Sequence, residues 1–81
     1  MEKKIYTPSE QALLKRVGNN IKRCRDKVDV KQEPLAYESK MDRAYVGRVE
    51  RGEQNISILK LKKLADTLGV DISEFFKIKG K

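Results

Sequence analysis

The stretch from Gln32 to Gly52, QEPLAYESKMDRAYVGRVERG, is the feature that most restricts what this chain can fold into. It reads as two short helices joined by a tight turn and closed by Glu-Arg-Gly. The first runs from about Gln32 to Glu38, with Pro34 tolerated in its first turn, where backbone N–H groups have no helical partner anyway. The second begins at Asp42, an N-cap whose carboxylate is expected to accept from the open N–H groups of the first turn, and ends at Gly52. On a helical wheel this second helix sets Val46, Val49 and Glu50 on one side. Ala44, Gly47, Arg48 and Arg51 fall on the other, with Arg43 projecting from the first turn.

The flanks are helical too. Thr7-Pro8-Ser9-Glu10 combines an N-cap threonine, a proline at the first helical position and a glutamate placed to return a hydrogen bond. After it, Leu13, Val17, Ile21, Cys24 and Val28 recur at helical spacing and predict one apolar stripe, with Gly18 a point where the helix either continues or splits in two. Asp29 is a plausible stop, because aspartate tolerates the left-handed conformation. Ser57 caps a further helix whose stripe is Ile58, Leu61, Leu64, Ala65 and Leu68, stopped at Gly69. Asp71 and Glu74 open a last helix ending near Lys77. No strand, internal repeat or linker emerges, so the expectation is a single all-α domain of five helices. Residues 1–12 form an N-terminal extension that includes the start of helix one, residues 13–77 the domain proper, and residues 78–81 a frayed tail.

Composition narrows the function classes. Nineteen Lys and Arg against twelve Asp and Glu give 81 residues a formal charge of +7, which favours a polyanion or an anionic membrane surface. The charge is uneven: +5 over residues 1–31, −1 over 32–57 and +3 over 58–81. If nucleic acid is the partner, phosphate attraction comes largely from the flanks, while the middle segment supplies a few placed arginines. Nothing approaches a membrane helix or a signal peptide, and the one cysteine cannot form an internal disulfide. A soluble, cytoplasmic protein with no membrane partner is expected. The chain has no histidine, no Gly-rich phosphate loop, no cysteine pair for zinc and no enforced carboxylate pair. Neither catalytic residues, metal ligands nor a cofactor are therefore expected. No small-molecule ligand is expected either, because the chain has no room for a separate ligand domain.

Several particulars together carry a family likeness: Gln32 opening a helix, Leu35-Ala36, Tyr45-Val46, Val49-Glu50-Arg51-Gly52, Leu64-Ala65 through Leu68-Gly69-Val70, and Ser73-Glu74-Phe75. From Val17 to Phe76 the chain resembles the helix-turn-helix domain of lambda repressor and Cro, the XRE-type group of bacterial and phage transcription regulators. Met41 to Val46, Glu50-Arg51-Gly52 and Asn55-Ile56-Ser57 look most like the controller proteins of restriction-modification systems. Phage repressors and antitoxins share most of these features, and a protein-interaction module such as an antitoxin stands as the alternative.

The resemblance implies a lambda-repressor-like fold in which helices two and three form the helix-turn-helix. It also implies a sequence-specific regulator binding double-stranded DNA as a homodimer on palindromic half-sites, with helix three, about residues 42–51, in the major groove. Arg43, Ala44 and Arg48 would face base edges. Arg43 would fork onto a guanine and Ala44 would meet a thymine methyl. Gln32, at a helix N-terminus, would touch a phosphate or a base. Tyr45 would either cover the core edge or reach a phosphate, and Arg51, Asn55 and Ser57 would touch the backbone. Glu50 would pair with Arg25 of helix one. Phe76 and Ile78 exceed what one buried face needs and are candidates for the dimer interface.

Three residues depart from the family pattern. Lys40 stands where the turn usually has glycine, so either it adopts a left-handed conformation or the turn differs. Lys31 replaces the usual Ser or Thr cap of helix two. Gly47 interrupts helix three and implies either close approach to DNA or to another helix, or a merely tolerated small residue. Arg16, Lys22, Arg23 and Lys27 are either a solvated face or phosphate contacts, and Cys24 is assigned to the core.

Overall fold

The computed structural model describes residues 5–78, which form four α-helices and a closing 3-10 helix. These are α1 (Pro8–Lys27), α2 (Gln32–Glu38), α3 (Arg43–Glu50), α4 (Ile58–Leu68) and the 3-10 helix η1 (Ile72–Phe76). The fifth element is thus not an α-helix. Asp71 accepts from the Ser73 N–H, two residues on, the chain turns extended at Lys77, and the short turn between them drives Phe75 fully into the core. The tail expected over residues 78–81 lies, apart from Ile78, outside the described residues, as do the first four residues of the extension.

Local chemistry explains most helix ends. The Glu10 N–H donates to Thr7 Oγ1 at 3.1 Å while the Thr7 N–H donates to Glu10 Oε1 at 2.9 Å, a reciprocal cap that satisfies two otherwise open donors. Ser57 Oγ accepts from the Lys60 N–H at 3.2 Å. Asp42 has the extended backbone of an N-cap, and its carbonyl accepts from Val46, but its carboxylate makes no capping bond. The first turn of α3 is exposed, so water can serve the donors that the carboxylate was expected to serve. Asp29 and Lys40 take positive φ angles of 59° and 58°. Lys40 thus takes the left-handed conformation, and the Met41 N–H closes the turn back on the Ala36 carbonyl at 2.8 Å.

α1 is continuous through Gly18. That glycine answers a tertiary demand: a Cβ there would lie 2.5 Å from the Glu50 carbonyl oxygen at the end of α3, so α1 and α3 meet backbone to backbone. The core gathers Val17, Ile21 and Cys24 from α1, Leu35 and Ala36 from α2, Val46 and Val49 from α3, Leu61, Leu64, Ala65 and Leu68 from α4, and Phe75. Three residues placed in apolar stripes by periodicity stay in solvent: Leu13, Val28 and Ile58. Leu13 lies in the exposed first turns of α1, Val28 is the residue after its last turn, and Ile58 opens α4.

Two polar clasps tie distant segments together. Asn20, buried in the middle of α1, donates from its one amide nitrogen to the carbonyls of Phe75 and Lys77, each at 2.9 Å. Ser39 Oγ donates to Thr67 Oγ1 at 3.1 Å, and that hydroxyl donates on to the Lys63 carbonyl, joining the end of α2 to α4.

Candidate nucleic-acid interface

α3 has two chemically distinct sides. Val46, Val49 and Glu50 are buried, whereas Arg43, Ala44 and Arg48 are exposed and Tyr45 is half-buried. The wheel misplaces one residue: Gly47 is buried, not outward. Its bare Cα is covered by the heads of Gln32 and Arg51, and a Cβ there would meet Arg51 Nη1 at 3.3 Å and Gln32 Oε1 at 3.7 Å.

Behind α3 sits a buried ionic knot. Arg25 donates from Nε to Glu50 Oε2 at 2.8 Å and from Nη2 to Glu50 Oε1 at 2.9 Å, with side-chain exposures of 8% and 4%. Its remaining nitrogen, Nη1, donates to the Val30 carbonyl at 3.0 Å. Donating to Glu50 pushes the Arg25 pKa up even though burial pulls it down, so the guanidinium stays charged. The Gln32 amide joins the knot, donating from Nε2 to Glu50 Oε1 at 2.9 Å. Among the described residues no buried side-chain nitrogen or oxygen lacks a partner, as a buried charge pair requires.

In front of α3 the contacts are looser. Arg48 Nε donates to Gln54 Oε1 at 3.2 Å, and its guanidinium lies 5.8 Å from the Tyr45 ring centre. Lys60 Nζ lies 4.8 Å from the same ring, so Tyr45 carries two cations on its π-system. Arg51 forks onto Glu53 at 3.0 and 3.2 Å and, by that hydrogen bond, holds the Glu53 carboxyl below its usual range. This pair lies in solvent, and a phosphate can displace such a carboxylate.

Gln32 and Arg43 share a shallow concavity with Arg25, Lys31 and Glu33, and Tyr45 and Arg48 share another with Lys40, Met41, Asp42 and Lys60. Asn55 and Ser57 lie apart from both. Asn55 lines a recess with Tyr6, Glu10, Leu13 and Leu14 at the start of α1, while Ser57 Oγ is taken up in capping α4. Phe76, the last residue of η1, is 38% exposed and Ile78, two residues on, 72%. Lys60, Gln54 and the Gln32–Glu50 bond escaped the sequence reading. Nothing in periodicity or capping marks a glutamine or a lysine whose partner arrives from another element. Among the described residues no cluster of three or more His, Cys, Asp or Glu could hold a metal, and no helix is long and apolar enough to cross a membrane.

Residues 21–75 match the helix-turn-helix family HTH_3. The chain is 39% identical over 62 residues to the control protein C.MunI of Mycoplasma sp, an alignment covering 75% of this chain and 84% of that one. Among solved structures it is similar to the restriction-modification controller protein C.AhdI of Aeromonas hydrophila, with 40% identity and a TM-score of 0.78 over 80% of this chain and 98% of that one. It is also similar to the controller protein C.Esp1396I, solved as a tetramer in complex with its natural 35 base-pair operator. That match has 34% identity and a TM-score of 0.69, covering 80% and 96% of the two chains.

Proposed function

This chain belongs to the helix-turn-helix family, and on that premise we propose that it is a transcriptional regulator that reads double-stranded DNA with α3 in the major groove. The observation that carries this reading is the division of α3: its back is locked to α1 through Arg25 and Glu50, and its front offers Arg43, Ala44 and Arg48 to solvent. A rigid helix with free guanidinium forks matches the acceptor edge of guanine, and a small apolar residue between them matches a thymine methyl. Gln32, Tyr45 and Arg51 border this front and serve the backbone, while Asn55 and Ser57, set apart from it in the loop before α4, are assigned backbone contacts of their own.

The controller proteins of restriction-modification systems are the subgroup favoured by the similarities to C.MunI and C.AhdI. Binding is as a homodimer on palindromic half-sites, in keeping with the operator complex of C.Esp1396I. Phe76 and Ile78 supply apolar surface for the dimer. The reading involves no catalysis and no cofactor and places the protein in the cytoplasm. Attraction to phosphate comes from the flanks, since residues 32–57 carry a net −1.

Selection of duplexes from a random library, followed by binding at several salt concentrations, tests the whole reading. Symmetric enriched sites are expected. If no sequence is enriched, a protein-interaction module replaces the regulator as the function.

A further inference from the structure

The turn that ends α3 lays a carboxylate on an arginine of the DNA-facing side. Gly52 takes a left-handed φ of 76°. The Gly52 N–H donates to the Val49 carbonyl at 3.0 Å and the Glu53 N–H to the Arg48 carbonyl at 2.9 Å, a paired closure that folds the chain back beside the last turn of the helix. The turn is backed by α1, because a Cβ on Gly52 would lie 3.0 Å from the Lys15 Cα. From this fixed backbone Glu53 covers the Nε and Nη2 edge of Arg51 with both carboxylate oxygens, at 3.0 and 3.2 Å. Two parallel N–H groups of this kind fork equally well onto a phosphate.

Stability gives little reason for that carboxylate. Both side chains are more than half exposed, where an ion pair contributes little, and an acid just past the end of a helix sits at the negative end of its dipole. Among the described residues Glu53 is the one acid of residues 32–57 paired with an exposed arginine, since Glu50 holds buried Arg25.

We propose that Glu53 is an internal competitor for DNA: its carboxylate occupies the fork of Arg51 that a phosphate would take, and so lowers the affinity of the protein for duplexes of any sequence. That role rests on the DNA-binding reading and on the backbone contact of Arg51, and deepens both. Binding then exchanges one anion for another on Arg51, so this contact adds less than a free guanidinium would. Base contacts by Arg43 and Ala44 are untouched by the exchange, and discrimination between sequences stays with the front of α3.

The test compares Glu53→Gln and Glu53→Asp with the parent on the duplex enriched by selection and on an unrelated duplex. The first variant removes the charge, and the second keeps it but withdraws the fork by one methylene. Both are expected to melt with the parent and to bind both duplexes about threefold or more tightly, the scale of an exposed ion pair, with the ratio between duplexes unchanged. In the Arg51→Ala background Glu53→Asp is expected to change nothing. In the free protein, NMR is expected to show the Arg51 Nε proton exchanging with water more slowly in the parent than in Glu53→Gln. A gain in Glu53→Gln with none in Glu53→Asp would mean general repulsion by the charge, and would overturn the competitor role. Weaker binding by both variants would mean that the fork pre-orders Arg51 for DNA, and would overturn it as well. So would a gain in Glu53→Asp that survives Arg51→Ala, or equal Arg51 exchange in parent and Glu53→Gln, each leaving the DNA reading in place. A selection that enriches no duplex would overturn the DNA reading and this inference with it.

Discussion

The back and the front of α3 are built on opposite terms. At the back, Glu50 is 6% exposed and carries three hydrogen bonds from Arg25 and Gln32. The backbone there is so close to α1 that Gly18 cannot acquire a side chain without a shift. At the front, Arg43 and Ala44 are exposed and Arg48 holds only a long bond to Gln54. The helix is fixed by one set of residues and exposes another, so stability and recognition should respond to different substitutions.

That separation can be attacked in order of expected effect. Glu50→Ala leaves Arg25 buried without its carboxylate and should cost about 3–5 kcal/mol of unfolding free energy by urea titration. A joint replacement of Arg25 and Glu50 by apolar residues should restore much of the loss. Gly18→Ala, which pushes a methyl onto fixed carbonyls rather than a flexible side chain, should cost about 1–3 kcal/mol and loosen DNA binding with it. Arg43→Ala should leave stability within about 0.5 kcal/mol. It should remove about 1–3 kcal/mol of discrimination at one position in each half-site, read by competition between duplexes. If it destabilises the fold as much as Glu50→Ala does, the two faces are not separate. Lys40→Gly should raise stability by about 0.5–1 kcal/mol, because a lysine at φ 58° bears a left-handed cost that glycine escapes only partly once its looser unfolded chain is counted.

The smallest effect concerns pH and lies outside α3, at the start of η1. The Ser73 N–H holds the Asp71 carboxyl below its ordinary value of 3.8. Its contribution is therefore present above that value and lost as the pH falls through the depressed one. Melting curves of the parent and Asp71→Ala should differ at neutral pH and converge in strong acid. A gap that persists there would point to packing rather than charge.

Elements whose ends are decided locally were legible in the sequence. The Thr7–Glu10 cap, Ser57 and the left-handed stop at Gly69 act over two to four residues, and so does the positive φ at Asp29. What was not legible depends on where another element passes. Gly18 reads as a break until α3 is laid against it. Gly47 reads as outward until Gln32 covers it, and Leu13 and Ile58 keep the spacing of their stripes yet stay exposed at the starts of their helices. The same division runs through the candidate site. An arginine on the outer arc of a short helix can be placed from a wheel, but the bond between Gln32 and Glu50 spans eighteen positions and needs the fold to bring its ends together.

Asn20 gives the closing 3-10 helix an influence out of proportion to its five residues. Its single amide nitrogen supplies the carbonyls of both Phe75 and Lys77, so if η1 lifts away, Asn20 loses two acceptors at once and the core around Phe75 opens to water. η1 is therefore tied to the same cooperative unit as the longest helix. Loss of η1 would loosen the middle of α1, the helix that also holds Gly18 and Arg25 against the back of α3.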